Sequence, residues 1–154
     1  MRRCEAALTV GLALCALAAG KPQRIASTEK VVLLPWKVEL TARTDTGAAV
    51  SSLDARDVHV SSQTVRFRLA PELGGLSLEL PIAGWMEVRS AEARERRPVV
   101  ELEFCLAGKV SKARFNLNDR SKVRHPALIG RNVLKQGFVV DVKRKPGKGP
   151  ACPR

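Results

Sequence analysis

The sequence has few aromatic residues and few histidines, and each shortage removes a class of function. Among 154 residues there are two histidines, two tryptophans and no tyrosine, and aromatic residues make up 4% of the chain. Surfaces that stack on RNA bases need exposed aromatic side chains, so we do not expect a nucleic acid as the partner. Two histidines are too few for a histidine-rich metal site. No second long apolar run follows the N-terminal one, which excludes a polytopic membrane protein.

Acidic residues are also scarce relative to basic ones. The chain has 27 Lys and Arg against 15 Asp and Glu, which gives a formal net charge of +12, and 45% of its residues are hydrophobic. This apolar content and length suit one domain with a real core and are too little for two domains of ordinary size. The positive charge favours anionic partners, such as acidic peptides or envelope polymers.

Residues 1–20 have the pattern of a secretory signal peptide. A basic start precedes an apolar stretch over residues 6–19, and Ala18 and Gly20 are the small residues at positions −3 and −1 of a cleavage site. The stretch is too short to span a bilayer comfortably. We predict a periplasmic or secreted protein with no stable membrane insertion after cleavage. An uncleaved membrane anchor is the alternative.

Two cysteines, Cys105 and Cys152, remain after the predicted cleavage. An even number in an oxidising compartment is consistent with a disulfide. However, Cys105 lies in an apolar run that is equally typical of a small buried hydrophobe, and Cys152 lies in a tail rich in Pro and Gly. The sequence leaves both states open.

The rest of the chain divides into three parts. Residues 21–29 are predicted to be a polar linker, and residues 145–154 a basic disordered tail. Between them, residues 30–144 alternate in short runs rich in Val, Leu, Thr and Phe, which indicate β-strands. Residues 131–136, between two glycines, carry the one strong helix signal, and residues 90–97 favour a helix on propensity alone. We therefore expect a mainly all-β domain with one short C-terminal helix.

Two short motifs carry the candidate chemistry. Asp45-Thr46-Gly47 follows a predicted strand, and an apolar pair followed by Gly130 and Arg131 lies far downstream, just before the predicted helix. Alone, the first motif also fits an Asp that caps its own backbone in a Gly-containing turn. The two motifs together, in this order, favour a functional site.

This order of strand, Asp-Thr-Gly, strands, apolar-apolar-Gly-Arg and helix resembles the retropepsin-like aspartic peptidases, whose fold is an acid-protease β-barrel. A narrower resemblance, over roughly residues 30–144, is to the bacterial family long labelled as an ATP-dependent zinc protease and now grouped with retropepsin-like endopeptidases. The matching segments are residues 97–100, 117–121, 125–131 and 138–141. The residues support neither zinc nor ATP, because His59 and His125 are isolated and no Gly-rich phosphate loop is present. No cofactor is expected.

The resemblance assigns roles to the motif residues. Asp45 would be the catalytic carboxylate, and the Thr46 hydroxyl would hold two loops together across a symmetry axis. Gly47 and Gly130 would permit close backbone approach, with Ala48 completing the loop.

Arg131 is similar to the arginine that braces the dimer in retropepsins. Viral relatives place an Asp four residues after the catalytic one to pair with it, and this chain has Ala49 there. Arg131 therefore needs another partner.

A single Asp-Thr-Gly implies two chains. Aspartic peptidases use two carboxylates that share a proton around one water, and this chain supplies one of them in the required context. We therefore expect a twofold homodimer that brings Asp45 and its symmetry mate together.

Residues 85–98 are predicted to form a flap over the cleft, with Trp85 or Met86 lining it, and a solvated helix is the alternative.

Asp119-Arg120-Ser121 is either a turn held by the Asp side chain or a substrate contact, and the turn is favoured.

The sequence thus predicts an exported aspartic endopeptidase that acts as a homodimer on peptides, including acidic ones. The alternative is a non-catalytic binding module on the same fold, recruited to the cell envelope by its positive surface. Metal-dependent hydrolysis ranks last.

Overall fold

A computed structural model describes residues 21–34, 36–89, 94–147 and 151–152. Strands dominate this part of the chain, and they are β1 Gln23–Ile25, β2 Thr28–Leu34, β3 Val38–Thr44, β4 Ser51–Asp54, β5 Arg56–Val60, β6 Thr64–Arg68, β7 Ser77–Pro81, β8 Gly84–Arg89, β9 Arg94–Leu106, β10 Lys109–Asn118, β11 Ala127–Ile129 and β12 Phe138–Val140. The helix α1 spans Arg131–Leu134, and a single 3-10 turn spans Pro71–Leu73. The predicted signal peptide lies outside the described residues.

Six strands close into a barrel. Their order is β10-β4-β11-β3-β2-β9, and β9 pairs back onto β10 to complete the ring, while β8 extends the sheet beyond β9. The prediction of a mainly all-β, retropepsin-like barrel with one short C-terminal helix is confirmed.

The barrel interior follows the period-two alternation of the sequence. On β9, Leu102, Phe104 and Leu106 are buried, whereas Glu101 and Glu103 are exposed. The rings of Phe104 and Phe115 meet edge to face with centroids 5.6 Å apart. Burial of these alternating side chains fixes strand register, because a slip of one residue would turn every one of them outward.

The strands β5, β6 and β7 form a separate antiparallel sheet between β4 and β8 in the chain. The face of this sheet that carries Val65 and Phe67 is buried in the core, and the opposite face carries exposed ion pairs such as Arg66–Glu79 at 3.0 Å. This three-stranded sheet therefore packs on the barrel through one face.

Two chain ends differ from prediction. The linker predicted over residues 21–29 is wrong for Gln23–Ile25, because this segment pairs in parallel with β12 and buries Ile25 completely. The disordered tail predicted over residues 145–154 is wrong where the structure describes it, at residues 145–147 and 151–152. There Gly147 donates its N–H to Glu29, and Cys152 forms a disulfide with Cys105. Local composition did not indicate the pairing with β12 or the Gly147–Glu29 contact, whereas the Cys105–Cys152 disulfide is one of the two states that the sequence left open.

The helix considered over residues 90–97 is wrong where the structure describes it. From Arg94 onward the chain is strand β9, paired with β8 from Gly84↔Val99 to Arg89↔Arg94. Ladder pairing outweighs the helix propensity of Ala, Glu and Arg. Residues 90–93, at the tip of this hairpin, lie outside the described residues. No helix in the described part of the chain is long and apolar enough to cross a membrane.

Candidate functional site

The Asp-Thr-Gly motif lies on a loop, residues 45–50, that joins β3 to β4. These two strands are not neighbours, because β11 lies between them and pairs with both. The loop must therefore cross the end of β11, and the N–H of Asp45 donates to the carbonyl of Ile129 at 2.9 Å. The two sequence motifs, about eighty residues apart in the printed sequence, thus meet at one point.

Gly130 lies directly beneath this loop. A Cβ atom at Gly130 would come within 2.9 Å of the Val50 carbonyl carbon and 3.0 Å of the Ala48 oxygen. Real Cβ atoms do not approach backbone atoms so closely, so this position accepts only glycine without a shift of the loop. The close approach is the physical reason for the glycine before Arg131.

Arg131 also binds the loop. Its backbone N–H donates to the carbonyl of Ala48 at 2.8 Å, and its guanidinium Nη1 donates to the carbonyls of Thr46 at 3.1 Å and Gly47 at 2.7 Å. Ala49 offers no carboxylate, and main-chain oxygens take the place of the missing acid. These carbonyl partners were not predictable from the sequence, because every residue has a main-chain carbonyl and nothing in the sequence marks one as the partner of Arg131.

Ser51 and Asn132 form a second brace that sequence reasoning missed. The Asn132 side-chain oxygen accepts from the N–H and the hydroxyl of Ser51, and that hydroxyl oxygen accepts the N–H of Gly130 at 2.9 Å. Asn116 donates to the Ser51 carbonyl from the opposite side. The available signal was a polar residue soon after each motif, Ser51 four positions after Gly47 and Asn132 directly after Arg131.

The carboxylate of Asp45 is partly exposed at the top of the loop. Its Oδ1 accepts the N–H of Gly47 at 2.8 Å, and a Cβ at Gly47 would lie 3.1 Å from the same oxygen. The neighbouring Thr46 side chain is exposed, and within the described residues it forms no hydrogen bond. The loop therefore presents a carboxylate and a hydroxyl to the outside of the chain.

The other four Asp residues each form an ion pair with an arginine. The pairs are Asp54–Arg56 at 2.9 Å, Asp57–Arg68 at 3.7 Å, Asp119–Arg56 at 3.5 Å and Asp141–Arg24 at 3.5 Å. None of them lies in a loop like that of Asp45. Within the described part of one chain, Asp45 is the aspartate that is presented without a basic partner.

The hairpin of β8 and β9 stands beside the loop. A pocket of about 350 Å³ lies between them, and its lining residues are Val50, Gly84, Trp85, Met86, Glu87, Val99 and Arg114. Trp85 is 41% exposed, and the guanidinium of Arg96 lies 4.3 Å from the centre of its ring. The structure thus brings Trp85 and Met86 to the same pocket as the end of the Asp45 loop.

A larger pocket, of about 520 Å³, lies at the base of the same hairpin and includes Arg56, Arg97 and Asp119. It is lined by no residue of the Asp45 loop. We therefore associate the candidate chemistry with the smaller pocket, since volume alone does not identify a site.

The Asp119-Arg120-Ser121 motif is a structural turn. Asp119 accepts the N–H of Ser121 at 2.8 Å, and these contacts with Ser121 lower the pKa of the Asp119 carboxyl. The Arg120 N–H donates to buried Asp54 at 2.6 Å, and burial lowers the pKa of the Arg120 guanidinium. The motif thereby fixes the segment that leads into β11.

His125 lies in a basic environment. Desolvation lowers its pKa below the ordinary 6.5, and Arg124, Arg43 and Arg120 lower it further. Among the described residues, no group of three or more His, Cys, Asp or Glu side chains is placed to hold a metal ion.

Comparisons with known proteins concern the family and the fold of the chain. The family model for RimB-like proteins, described as retropepsin-like aspartic endopeptidase RimB, matches residues 25–148. No curated protein sequence matches the chain. One similar solved structure is a Legionella pneumophila protein of unknown function, Lpg0085, from the DUF785 group. It is 28% identical and superposes with a TM-score of 0.70, over 81% of this chain and 97% of that one.

Proposed function

Because the chain belongs to the RimB-like family of retropepsin-like aspartic endopeptidases, we propose that it hydrolyses peptide bonds with Asp45. The observation that carries this proposal is the placement of Asp45. Its loop is hydrogen-bonded to Ile129 and Arg131 and lies against Gly130, and its carboxylate is presented outward.

The proposed chemistry needs a second carboxylate. One carboxylate takes a proton from the attacking water, while its protonated partner polarises the scissile carbonyl. The resulting tetrahedral intermediate collapses when the leaving amine receives a proton from the carboxyl pair. Two carboxylates that contact the same water lie so close together that ionising both costs much free energy, and they therefore share one proton.

We propose that the second carboxylate is Asp45 of an identical chain. The other aspartates of the chain are paired with arginines, so they do not offer a substitute. In a twofold homodimer, the exposed Thr46 hydroxyl would meet the partner loop near the axis. Its lack of a hydrogen-bond partner within the described chain supports this role.

The β8–β9 hairpin is proposed to be the flap that covers the substrate. It borders the pocket that ends at Val50, and Trp85 and Met86 would contact the peptide there. Arg114 lines the same pocket and, within the described residues, forms no ion pair. Together with the net charge of +12, this favours peptides with acidic residues.

Export to the periplasm or to the outside of the cell is part of the proposal. The Cys105–Cys152 disulfide supports it, because disulfides persist mainly in oxidising compartments.

The decisive experiment compares Asp45→Asn with Asp57→Asn, an exposed carboxylate outside the loop. Both variants should keep the fold and the dimer by circular dichroism and sedimentation. Cleavage of an acidic peptide library, followed by mass spectrometry, should be lost in Asp45→Asn and retained in Asp57→Asn. Turnover by Asp45→Asn at the wild-type rate would refute the proposal.

The same measurements test the alternative of a non-catalytic envelope-binding module. That alternative predicts a monomer, no cleavage by the wild type, and binding to anionic polymers that weakens as salt increases.

A further inference from the structure

The described residues of the C-terminal segment after β12 contact β1 and two strands of the barrel. We call its described residues, 141–147 and 151–152, the strap. Asp141 donates its N–H to the carbonyl of Ile25, Gly147 donates its N–H to Glu29 Oε2 at 3.0 Å, and Cys152 is bonded to Cys105. The described residues of the strap therefore contact β1, the start of β2 and β9.

Cys105 is buried on the outer face of β9, next to two exposed glutamates of the same face. Glu101 and Glu103 precede it on the same face and are open to solvent, whereas Cys105 is 0% exposed. Side chains that face the barrel interior alternate along β9 with Glu101, Glu103 and Cys105. Alternation alone would therefore leave Cys105 outside the barrel core. Its disulfide partner belongs to the strap, so the strap lies over this part of the outer face of β9.

Glu29 connects the strap to the interior. It is 3% exposed, and its two oxygens accept different backbone N–H groups, from Ala26 at 2.8 Å and from Gly147 at 3.0 Å. A buried carboxylate needs such donors, because an unpartnered one would carry a large desolvation cost. When Gly147 moves away, Glu29 loses one of these two donors.

The next contacts lead to the catalytic loop. The Ala26 carbonyl accepts the hydroxyl of Thr44 at 3.1 Å, and the Ser27 carbonyl accepts the N–H of Thr44 at 2.9 Å. Thr44 is buried and directly precedes Asp45. An unbroken series of hydrogen bonds thus joins Gly147 of the strap, through Glu29 and Ala26, to the residue next to the proposed catalytic carboxylate.

We propose that formation of the Cys105–Cys152 disulfide locks the strap onto Glu29 and thereby holds the Asp45 loop in its working geometry. Glu29 is then a positioning residue, and oxidation of the two thiols is a maturation step. This inference rests on the proposed function and on export, and it adds a regulation of the same site. The reduced chain would keep a loosened Asp45 loop until it reaches the oxidising compartment.

The maturation step balances with a disulfide-containing oxidant. The thiolate of one cysteine attacks the oxidant disulfide and forms a mixed disulfide, and the second thiolate then attacks the protein sulfur of that mixed disulfide and displaces the oxidant's thiolate, which leaves the Cys105–Cys152 bond. The two protein thiols lose two electrons and two protons, and the oxidant becomes a dithiol.

The first test compares the oxidised wild type with Cys152→Ser, which leaves buried Cys105 in place. Hydrogen exchange followed by NMR should be faster in the variant by roughly tenfold or more at the amides of Gly147, Thr44 and Asp45. The amide of Phe67, in the distant three-stranded sheet, should not change. Dithiothreitol should reproduce the effect in the wild type and do nothing to Cys152→Ser, which controls for the reductant itself.

Exchange at Thr44 and Asp45 that is equal in the two states would overturn the inference. Faster exchange in a protein that cleaves no peptide in either state would support the coupling and refute the proposed function. The two failures are therefore distinguishable.

The second test compares Glu29→Gln with Glu39→Gln, an exposed residue that pairs with Lys30 at 2.6 Å. The amide group that replaces the carboxylate cannot accept both N–H groups, so Glu29→Gln should lower kcat by roughly tenfold to a hundredfold. KM should stay constant, and the pH profile of kcat should shift, whereas Glu39→Gln should match the wild type. A loss of thermal stability without any change in kcat or its pH profile would reduce Glu29 to a structural residue and contradict the inference.

Discussion

The Asp45 loop and the β8–β9 hairpin border the same pocket, yet they are held in different ways. The loop is bound by Ile129 and Arg131 from below and rests on Gly130 without space for a methyl group. The β8 strand of the hairpin pairs on one side with β9 and alternates between exposed and partly buried residues. The loop side of the pocket is therefore held by contacts from several elements, whereas β8 on the other side is held by its hydrogen-bonding ladder with β9.

This difference suits the two roles that we propose. A catalytic carboxylate works only when its geometry is already set, whereas a flap must open to admit a peptide. Segments with few buried contacts open locally at low free energy, so we expect the hairpin to exchange its amides faster than the loop. Three substitutions test this difference between the loop and the hairpin, and the one with the largest expected effect comes first.

Gly130→Ala should have the largest effect. The new Cβ would lie 2.9 Å from a backbone carbon of Val50, so the loop must shift, and we expect a loss of about 3 kcal/mol in the free energy of unfolding. Gly47→Ala is the matched control, because its Cβ meets the movable Asp45 side chain at 3.1 Å. The control should keep its stability and lose activity. Urea unfolding of both variants measures the contrast, and equal stabilities would show that the loop is not tightly seated.

Arg131→Met should have an intermediate effect. It removes two hydrogen bonds to the carbonyls of Thr46 and Gly47 but keeps an unbranched apolar stem. Because Arg131 is exposed, the cost in stability should be about 1 kcal/mol. Activity should fall by roughly tenfold, since the loop carries Asp45. Steady-state kinetics and thermal unfolding check the two parts, and unchanged kcat would show that the arginine does not brace the loop.

Trp85→Ala should have the smallest effect on stability. Trp85 is 41% exposed, and its described ring contact is with the exposed Arg96, so the loss should stay below about 1 kcal/mol. KM should rise instead, because the ring would contact the peptide. Calorimetry and peptide kinetics measure both, and a stability loss equal to that of Gly130→Ala would abolish the distinction between the loop and the hairpin.

The sequence was sufficient for the barrel because its signals are local. Alternation along β9 and the glycines around α1 each act over a few residues, and the order of the two motifs identified the family. The N-terminal strand Gln23–Ile25 escaped prediction, since its burial depends on pairing with β12 at the other end of the chain. The helix prediction for residues 90–97 is wrong from Arg94 onward, because pairing with β8 in the hairpin decides the conformation of these residues.

The site was predictable to a lesser extent. Asp45, Gly130 and Arg131 carry distinctive residue types, and the structure brings all three together. The contacts that hold them use main-chain carbonyls or ordinary polar residues such as Ser51 and Glu29, which have no recognisable spacing. Their roles emerge only when the strands place them side by side.

Closure of the barrel by β9 and β10 has a consequence for solubility. A closed ring of strands has no end strand, whereas β8 lies outside the ring and, among the described residues, pairs with β9 alone, so the ladder groups on its outer side are unpaired. Exposed charges at Glu87 and Arg89 flank that ladder and make stacking against another molecule's strand costly. The charges thereby oppose strand-to-strand association along β8, although its outer hydrogen-bonding groups are open beside the pocket.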